Sequence, residues 1–135
     1  EMCIRDRLSA SRAWTSGALR VGGSYLHAED PDGSREIRRP EWLAFARVNQ
    51  QWGPAMLTLE LFSSDDQDDL AFATFPARRV TLDRYTLLNA QVRVPLPKGM
   101  QLGLRGANLL DESYEEQLGY EAPGRAVYLS LGIDL

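Results

Sequence analysis

Gly124-Arg125-Ala126-Val127-Tyr128-Leu129-Ser130-Leu131-Gly132-Ile133-Asp134-Leu135 alternates without a break. Val127, Leu129, Leu131, Ile133 and Leu135 fall on one face, and Ala126, Tyr128, Ser130, Gly132 and Asp134 on the other. Successive side chains of a β-strand point to opposite sides, so this stretch predicts a strand with one uniformly apolar face and one small, polar face. Its length suits the ~9–11 residues with which a tilted strand crosses a bilayer.

The same pattern recurs upstream. Over Met100 to Ala107, Met100, Leu102 and Leu104 oppose Gln101 and Arg105. Over Tyr85 to Val94, Leu88, Ala90, Val92 and Val94 oppose Asn89, Gln91 and Arg93. Ala55 to Phe62 sets Leu57, Leu59 and Leu61 against Thr58 and Glu60, and Trp42 to Gln50 sets Trp42, Ala44, Ala46 and Val48 against a face with Arg47 and Asn49. Thr15 to His27 reads as a strand weakened by Gly22 and Gly23. No segment keeps a helical period. The expectation is an all-β chain, an antiparallel up-and-down meander of about six strands. Turns at Gln51-Trp52-Gly53-Pro54 and Pro95-Leu96-Pro97-Lys98-Gly99, whose prolines cannot continue a ladder, alternate with long polar loops at Ala28 to Pro40, Ser63 to Arg84 and Asp111 to Pro123. Short turns at one end and long loops at the other are the habit of outer-membrane barrels. A soluble β-sandwich or lipocalin-like barrel does not require that asymmetry and would turn bulkier apolar residues inward.

Composition is permissive. Of 135 residues, 44% are hydrophobic and 25% charged, which suits a soluble domain and equally a barrel whose strands are half apolar. No run approaches the ~18 consecutive apolar residues of a membrane helix. The net charge of −4, with arginines scattered among acidic residues, argues against nucleic acid as a partner. A single cysteine, Cys3, excludes an intrachain disulfide and a cysteine-based metal site. Its surroundings, Glu1-Met2-Cys3-Ile4-Arg5-Asp6-Arg7, look like the translated end of a transposon adapter used in preparing sequencing libraries. Residues 1–7 are therefore set aside, 8–135 are read as one barrel portion, and the native N-terminus is expected upstream.

A family resemblance becomes specific at Asn108-Leu109-Leu110-Asp111-Glu112-Ser113-Tyr114. This resembles the Asn-Leu-Phe-Asp-x-x-Tyr motif in the penultimate strand of TonB-dependent outer-membrane receptors, with Leu110 in place of the usual phenylalanine. Gly119-Tyr120-Glu121-Ala122-Pro123-Gly124-Arg125 is similar to that family's Gly-Tyr-x-x-Pro-Gly-Arg segment, and Tyr25 to Asp30 followed by Arg38-Arg39-Pro40 matches the same region. The last strand, with Val127, Leu129, Leu131, Ile133 and Leu135, resembles the C-terminal signal read by the barrel-assembly machinery, although that signal usually ends in an aromatic residue. The resemblance implies the C-terminal part of a twenty-two-stranded transmembrane barrel, not closed in this piece, in the outer membrane of a bacterium. It further implies a missing N-terminal plug through which TonB acts, contact with outer-membrane lipid, and long loops outside the cell. Loop lengths and spacing are most similar to the cobalamin transporters; a ferric siderophore is the alternative cargo, and a passive porin or adhesin barrel the alternative class.

Few residues invite chemistry. Pro123, Gly124 and Arg125 suit a turn that re-enters a strand, with Asp111 or Glu112 as acidic partner for Arg125. Asn108 and Asp111 suit local backbone bonding. Trp42, Trp52, Tyr85 and Tyr120 are expected in the aromatic girdles at strand ends. Phe72, Phe75 and Tyr114 are the loop aromatics best placed to touch a ligand. The run Ser63-Ser64-Asp65-Asp66-Gln67-Asp68-Asp69 offers four aspartates that calcium can use, but it lacks the EF-hand spacing and glycine, and a solvated loop is the stronger expectation. His27 is the only histidine, and neither a GxSxG elbow nor an HExxH motif occurs, so no enzyme is expected.

Overall fold

The computed structural model describes residues 2–73 and 75–133, and side chains from residue 4 onward. Asp134 and Leu135, assigned above to the two faces of the last strand, lie outside the described residues. Seven strands form one antiparallel sheet: β1 (Met2–Trp14), β2 (Gly17–Glu29), β3 (Trp42–Trp52), β4 (Ala55–Ser64), β7 (Tyr85–Leu96), β8 (Met100–Ala107) and β11 (Ala126–Ile133), in the order β1-β2-β3-β4-β7-β8-β11. Two small hairpins rise from the long connections, β5 (Gln67–Ala71) with β6 (Arg78–Leu82), and β9 (Glu115–Gln117) with β10 (Tyr120–Glu121). The expected meander is present, with one more strand than the alternation revealed. β1 pairs with β2 along its whole length, from Met2 opposite Glu29 to Trp14 opposite Gly17. Asp6 and Arg12 interrupt the face that Ile4, Leu8, Ala10 and Trp14 share, so β1 carries little alternation to read.

Pro95 also departs from expectation. It lies within the ladder, opposite Gln101, and only Pro97, Lys98 and Gly99 form the turn. The pairing of β7 with β4 has stopped at Arg93, so on that side no partner loses a bond through the missing proline N–H.

Register shows how the faces are built, because residues directly opposite in antiparallel strands share a face. Leu129, Leu104, Val92 and Leu57 stand in one row, and Val127, Gly106, Ala90, Leu59, Val48 and Leu19 in the next. On the other face, Tyr128, Arg105, Gln91, Thr58 and Asn49 form one row, and Asn89, Glu60, Arg47 and Arg20 another. Nothing covers the apolar rows: Leu129 is 73% exposed and Leu131 58%. The only buried hydrophobic residues among those described, Ala28, Leu82 and Tyr85, all lie at the long-loop end. A compact monomer of 15.1 kDa has a surface of about 7,100 Å², whereas this chain exposes 9835 Å². One sheet without a second layer accounts for the excess, and a soluble sandwich is ruled out for the described residues.

Trp42 packs against Tyr25 on the apolar face at the long-loop end, ring centroids 4.7 Å apart. Trp14 and Trp52 mark the opposite end, with Trp14 Nε1 donating to Gln50 Oε1 at 2.9 Å. These rings occupy both borders of the apolar band, as aromatic girdles do. Tyr85 and Tyr120 do not join them. Tyr85 is buried on the polar face, and Tyr120 projects from the β9–β10 hairpin, outside the sheet.

The exposed band and the unpaired edges of β1 and β11 set an expectation for the chain alone. In plain buffer it should aggregate, giving a broad distribution of large species in sedimentation velocity that detergent disperses. A monodisperse, cooperatively unfolding species without detergent would overturn the membrane assignment of the apolar face.

Candidate functional site: the long-loop platform and the polar wall

The motif residues form a clasp at the end of β8. Asn108 and Asp111 adopt the left-handed backbone conformation, φ 48° and 57°, which short polar side chains tolerate best after glycine. The Asn108 backbone N–H donates to Asn89 Oδ1 at 2.9 Å, tying the end of β8 to β7. Its side-chain amide donates to the carbonyls of Glu112 (2.8 Å) and Pro123 (3.3 Å), while its Oδ1 accepts from the Glu112 N–H at 2.9 Å. Asn108 is 5% exposed, so these bonds replace water that cannot reach it. Leu109 folds back over Gly106, where an added Cβ would meet its Cδ2 at 2.6 Å. Asp111 accepts from the backbone N–H of Arg125 at 2.9 Å and from its guanidinium at 3.1 Å. The Arg125 amide first, and then its guanidinium, hold the Asp111 carboxyl below the usual carboxylate range. Gly124 sits beside that carboxylate, and Gly119 turns β9 into β10 at φ 82°. Asn108, Asp111, Pro123, Gly124 and Arg125 thus tie the end of β8 to the residues just before β11.

Above the clasp, the three long loops meet at Asp69, whose side chain is completely buried. Asp69 Oδ1 accepts from the Leu70 N–H at 2.8 Å and from Arg38 Nε at 2.9 Å, and Oδ2 accepts from the Leu118 N–H at 2.7 Å. Arg38 belongs to the loop after β2, Asp69 to the loop after β4, and Leu118 to the loop after β8. Burial alone would raise the Asp69 carboxyl; the Leu118 and Leu70 amides and Arg38 outweigh it and bring it below the ordinary value. Further ties run parallel. Arg35 pairs with Asp66 at 3.1 Å, and Arg79 reaches Asp68 (3.2 Å), Ser34 Oγ (2.8 Å) and the Arg35 carbonyl (2.6 Å). Gln67 donates to the Glu116 carbonyl at 2.8 Å. Tyr85 stacks on Tyr114, centroids 4.2 Å apart, and donates to Glu116 Oε1 at 3.2 Å.

The acidic run is therefore not a solvated loop. Ser63 and Ser64 end β4, Gln67 begins β5, and Asp66, Asp68 and Asp69 are each engaged by an arginine. No group of three acidic, histidine or cysteine residues suited to a metal occurs among the described residues. The three loop aromatics are not brought together either. Phe72 and Phe75 stand in solvent at the tip of the β5–β6 hairpin, whereas Tyr114 is half-buried against Tyr85 at the foot of the platform.

Below the platform, the polar face holds features that no motif announced. Arg47 pairs with Glu60 across β3 and β4, Asn49 accepts from Thr58 Oγ1 at 2.9 Å, and a shallow depression of about 400 Å³ lies against Asn89, Gln91 and Arg105. Strand parity was the available signal, since each of these residues occupies the non-apolar position of its strand.

No family model matches the chain. It is 39% identical over 64 residues to the vitamin B12 transporter BtuB of Vibrio cholerae serotype O1, in three strains, a match covering 47% of the chain and 10% of the transporter. The matched stretch thus spans about a tenth of those relatives' length. Among solved structures it superposes on P. aeruginosa FpvA bound to a heterologous pyoverdine, with a TM-score of 0.79 at 10% identity, over 96% of this chain and 19% of that one. It superposes equally on FpvAI in complex with pyocin S2, with a TM-score of 0.79 at 10% identity, over 94% and 18% of the two chains. Alternating strands, the Asn108–Arg125 motifs and the superposed fold agree: the chain has the fold of an open β-barrel segment and is similar to the barrels of TonB-dependent outer-membrane receptors.

Proposed function

We propose that this segment supplies barrel wall and outer loops to an active importer of a scarce nutrient, and that the nutrient is cobalamin. The observation that carries the reading is the 39% identity over 64 residues to proteins named vitamin B12 transporters. The apolar face contacts outer-membrane lipid, the long loops face outside the cell, and the last strand is presented to the barrel-assembly machinery. TonB acts through an N-terminal plug lying outside this chain. No catalytic step is assigned to any residue. A ferric siderophore is the second reading. It draws on the superposition with pyoverdine-bound FpvA, which at 10% identity speaks for the fold and not for the ligand.

The test is cyanocobalamin binding by a full-length receptor carrying this segment, refolded in detergent. Saturable, tight binding that ferric siderophores do not match is the expected result. Absence of cobalamin binding alongside binding of a ferric siderophore would replace the cargo and leave the family standing.

A further inference from the structure

We propose that His27 is a proton-operated clamp at the root of the loop between β2 and β3, tightened when its ring is charged and slackened when it is neutral. His27 is the only histidine of the chain. Histidine is the side chain that ordinarily changes charge between about pH 5 and 8. It stands two residues beyond Tyr25, whose ring pairs with Trp42 at the border of the apolar band, and so lies on the loop side of that border. Both of its ring nitrogens face carboxylates. Nε2 is 3.0 Å from Glu29 Oε1, and Nδ1 is 3.6 Å from Glu41 Oε1. Glu29 ends β2 and Glu41 immediately precedes β3, so the ring bridges the two ends of the loop.

A neutral imidazole has one N–H and one lone pair, and it satisfies only one of the two carboxylates. Its other nitrogen then presents a lone pair to a carboxylate oxygen. An imidazolium donates through both nitrogens, so the arrangement is complete only with the charged ring. The other groups around the ring do not reverse that balance. Arg35, in the loop, reaches Glu41 at 3.8 Å, but its guanidinium lies closer to Asp66, at 3.1 Å. The Tyr25 ring is nearly parallel to the imidazole, centroids 6.5 Å apart, and β1 sets Ile4 opposite His27 and Asp6 opposite Tyr25. Arg35 and Arg38, which tie this loop to Asp66 and Asp69, lie between the two carboxylates in sequence. The loop is thus held at its far side by arginine–aspartate pairs and at its root by a bridge that a proton completes. This inference concerns the mechanics of the loop, so a failed cobalamin assay leaves it intact.

Amide hydrogen exchange in the full-length receptor in detergent, followed from about pH 5 to 8, tests the clamp. Two backbone bonds cross the loop root and report on it: Leu26 N–H donates to the Glu41 carbonyl at 2.8 Å, and Glu36 N–H to the Ala28 carbonyl at 3.0 Å. His27 and Glu41 are each 31% exposed and Glu29 40%, so solvent screens the bridge. After correction for intrinsic exchange at each pH, protection of both amides should fall about twofold to fivefold as the ring loses its proton. The Leu118 amide, held by Asp69, should not follow. His27→Gln keeps a polar side chain that never charges, and it should show weak protection at every pH and no step. Glu41→Gln keeps the histidine and removes one carboxylate, and its step should be smaller than the native one. A flat native profile would overturn the proposal. A native-sized step in His27→Gln would do so as well, because another group would then be titrating. Should that variant fail to fold, a native-sized step in Glu41→Gln would still show that the ring does not bridge the loop.

Discussion

Amide hydrogen exchange should rise in three loops at once when Asp69 is replaced by asparagine in a full-length receptor carrying this segment. The substitution removes one acceptor oxygen and puts an NH2 group in its place. Whichever way the amide turns, that group faces a donor, either Leu118 N–H or the pair Leu70 N–H and Arg38 Nε. A buried donor left without an acceptor costs about 1–3 kcal/mol. Arg38 is 42% exposed, so water recovers part of its share. Local opening should become easier by about 1–3 kcal/mol, which exchange would read as roughly fivefold to over a hundredfold faster. Exchange should quicken in residues 30–41 and 108–125 as well as around the substitution. The exposed Asp83, changed to asparagine, removes the same charge from the same connection and should leave the other two loops unmoved. Acceleration confined to 65–84 would show that Asp69 does not join the loops.

The pH dependence has a definite sign. The Asp69 carboxyl sits below its ordinary value in the folded chain. Its contribution is therefore fully present above the unfolded pKa of about 3.9 and is lost as pH falls through the lower folded value. Loop protection should hold through neutral and mildly acidic conditions and fail only in stronger acid. In Asp69→Asn the loops should be loose throughout that range.

The legible elements were those with an unbroken apolar face. β4, β7, β8 and β11 each keep one, and the sequence locates them to within a few residues. β1 does not, since Asp6 and Arg12 fall among its apolar positions, and its pairing with β2 is a long-range fact that periodicity does not contain. The β5–β6 hairpin was hidden for a related reason. Asp68 and Asp69 lie in it, and an acidic run reads as solvent-exposed until its arginine partners, 11 and 31 residues away, are in place. The girdle aromatics illustrate a signal that was present and unused. Trp42 shares parity with Ala44, Ala46 and Val48, whereas Tyr85 shares parity with Asn89 and Gln91. Position at a strand end suggested one role for both; parity separates a ring bordering the membrane from one beneath the loops.

Leu59→Arg and Thr58→Arg should differ sharply, although the two residues are neighbours in the middle of β4. Leu59 lies on the apolar face between Val48 and Ala90, and Thr58 on the polar face between Asn49 and Gln91. An arginine on the lipid side near mid-membrane costs about 2–4 kcal/mol, because its guanidinium must leave water or distort the bilayer to keep it. On the polar side the same guanidinium stays out of lipid, among the amides of Asn49 and Gln91. The penalty there is cross-strand repulsion, of the order of 1 kcal/mol or less, since its direct neighbours are uncharged amides. Reversible unfolding of the full-length receptor from lipid vesicles measures both on one scale. Because the pair share strand, depth and introduced side chain, differences in propensity and length cancel, and the gap reports the face alone. Equal penalties at 58 and 59 would mean that both sides of β4 meet the same medium, and the membrane assignment of the apolar rows would then not stand.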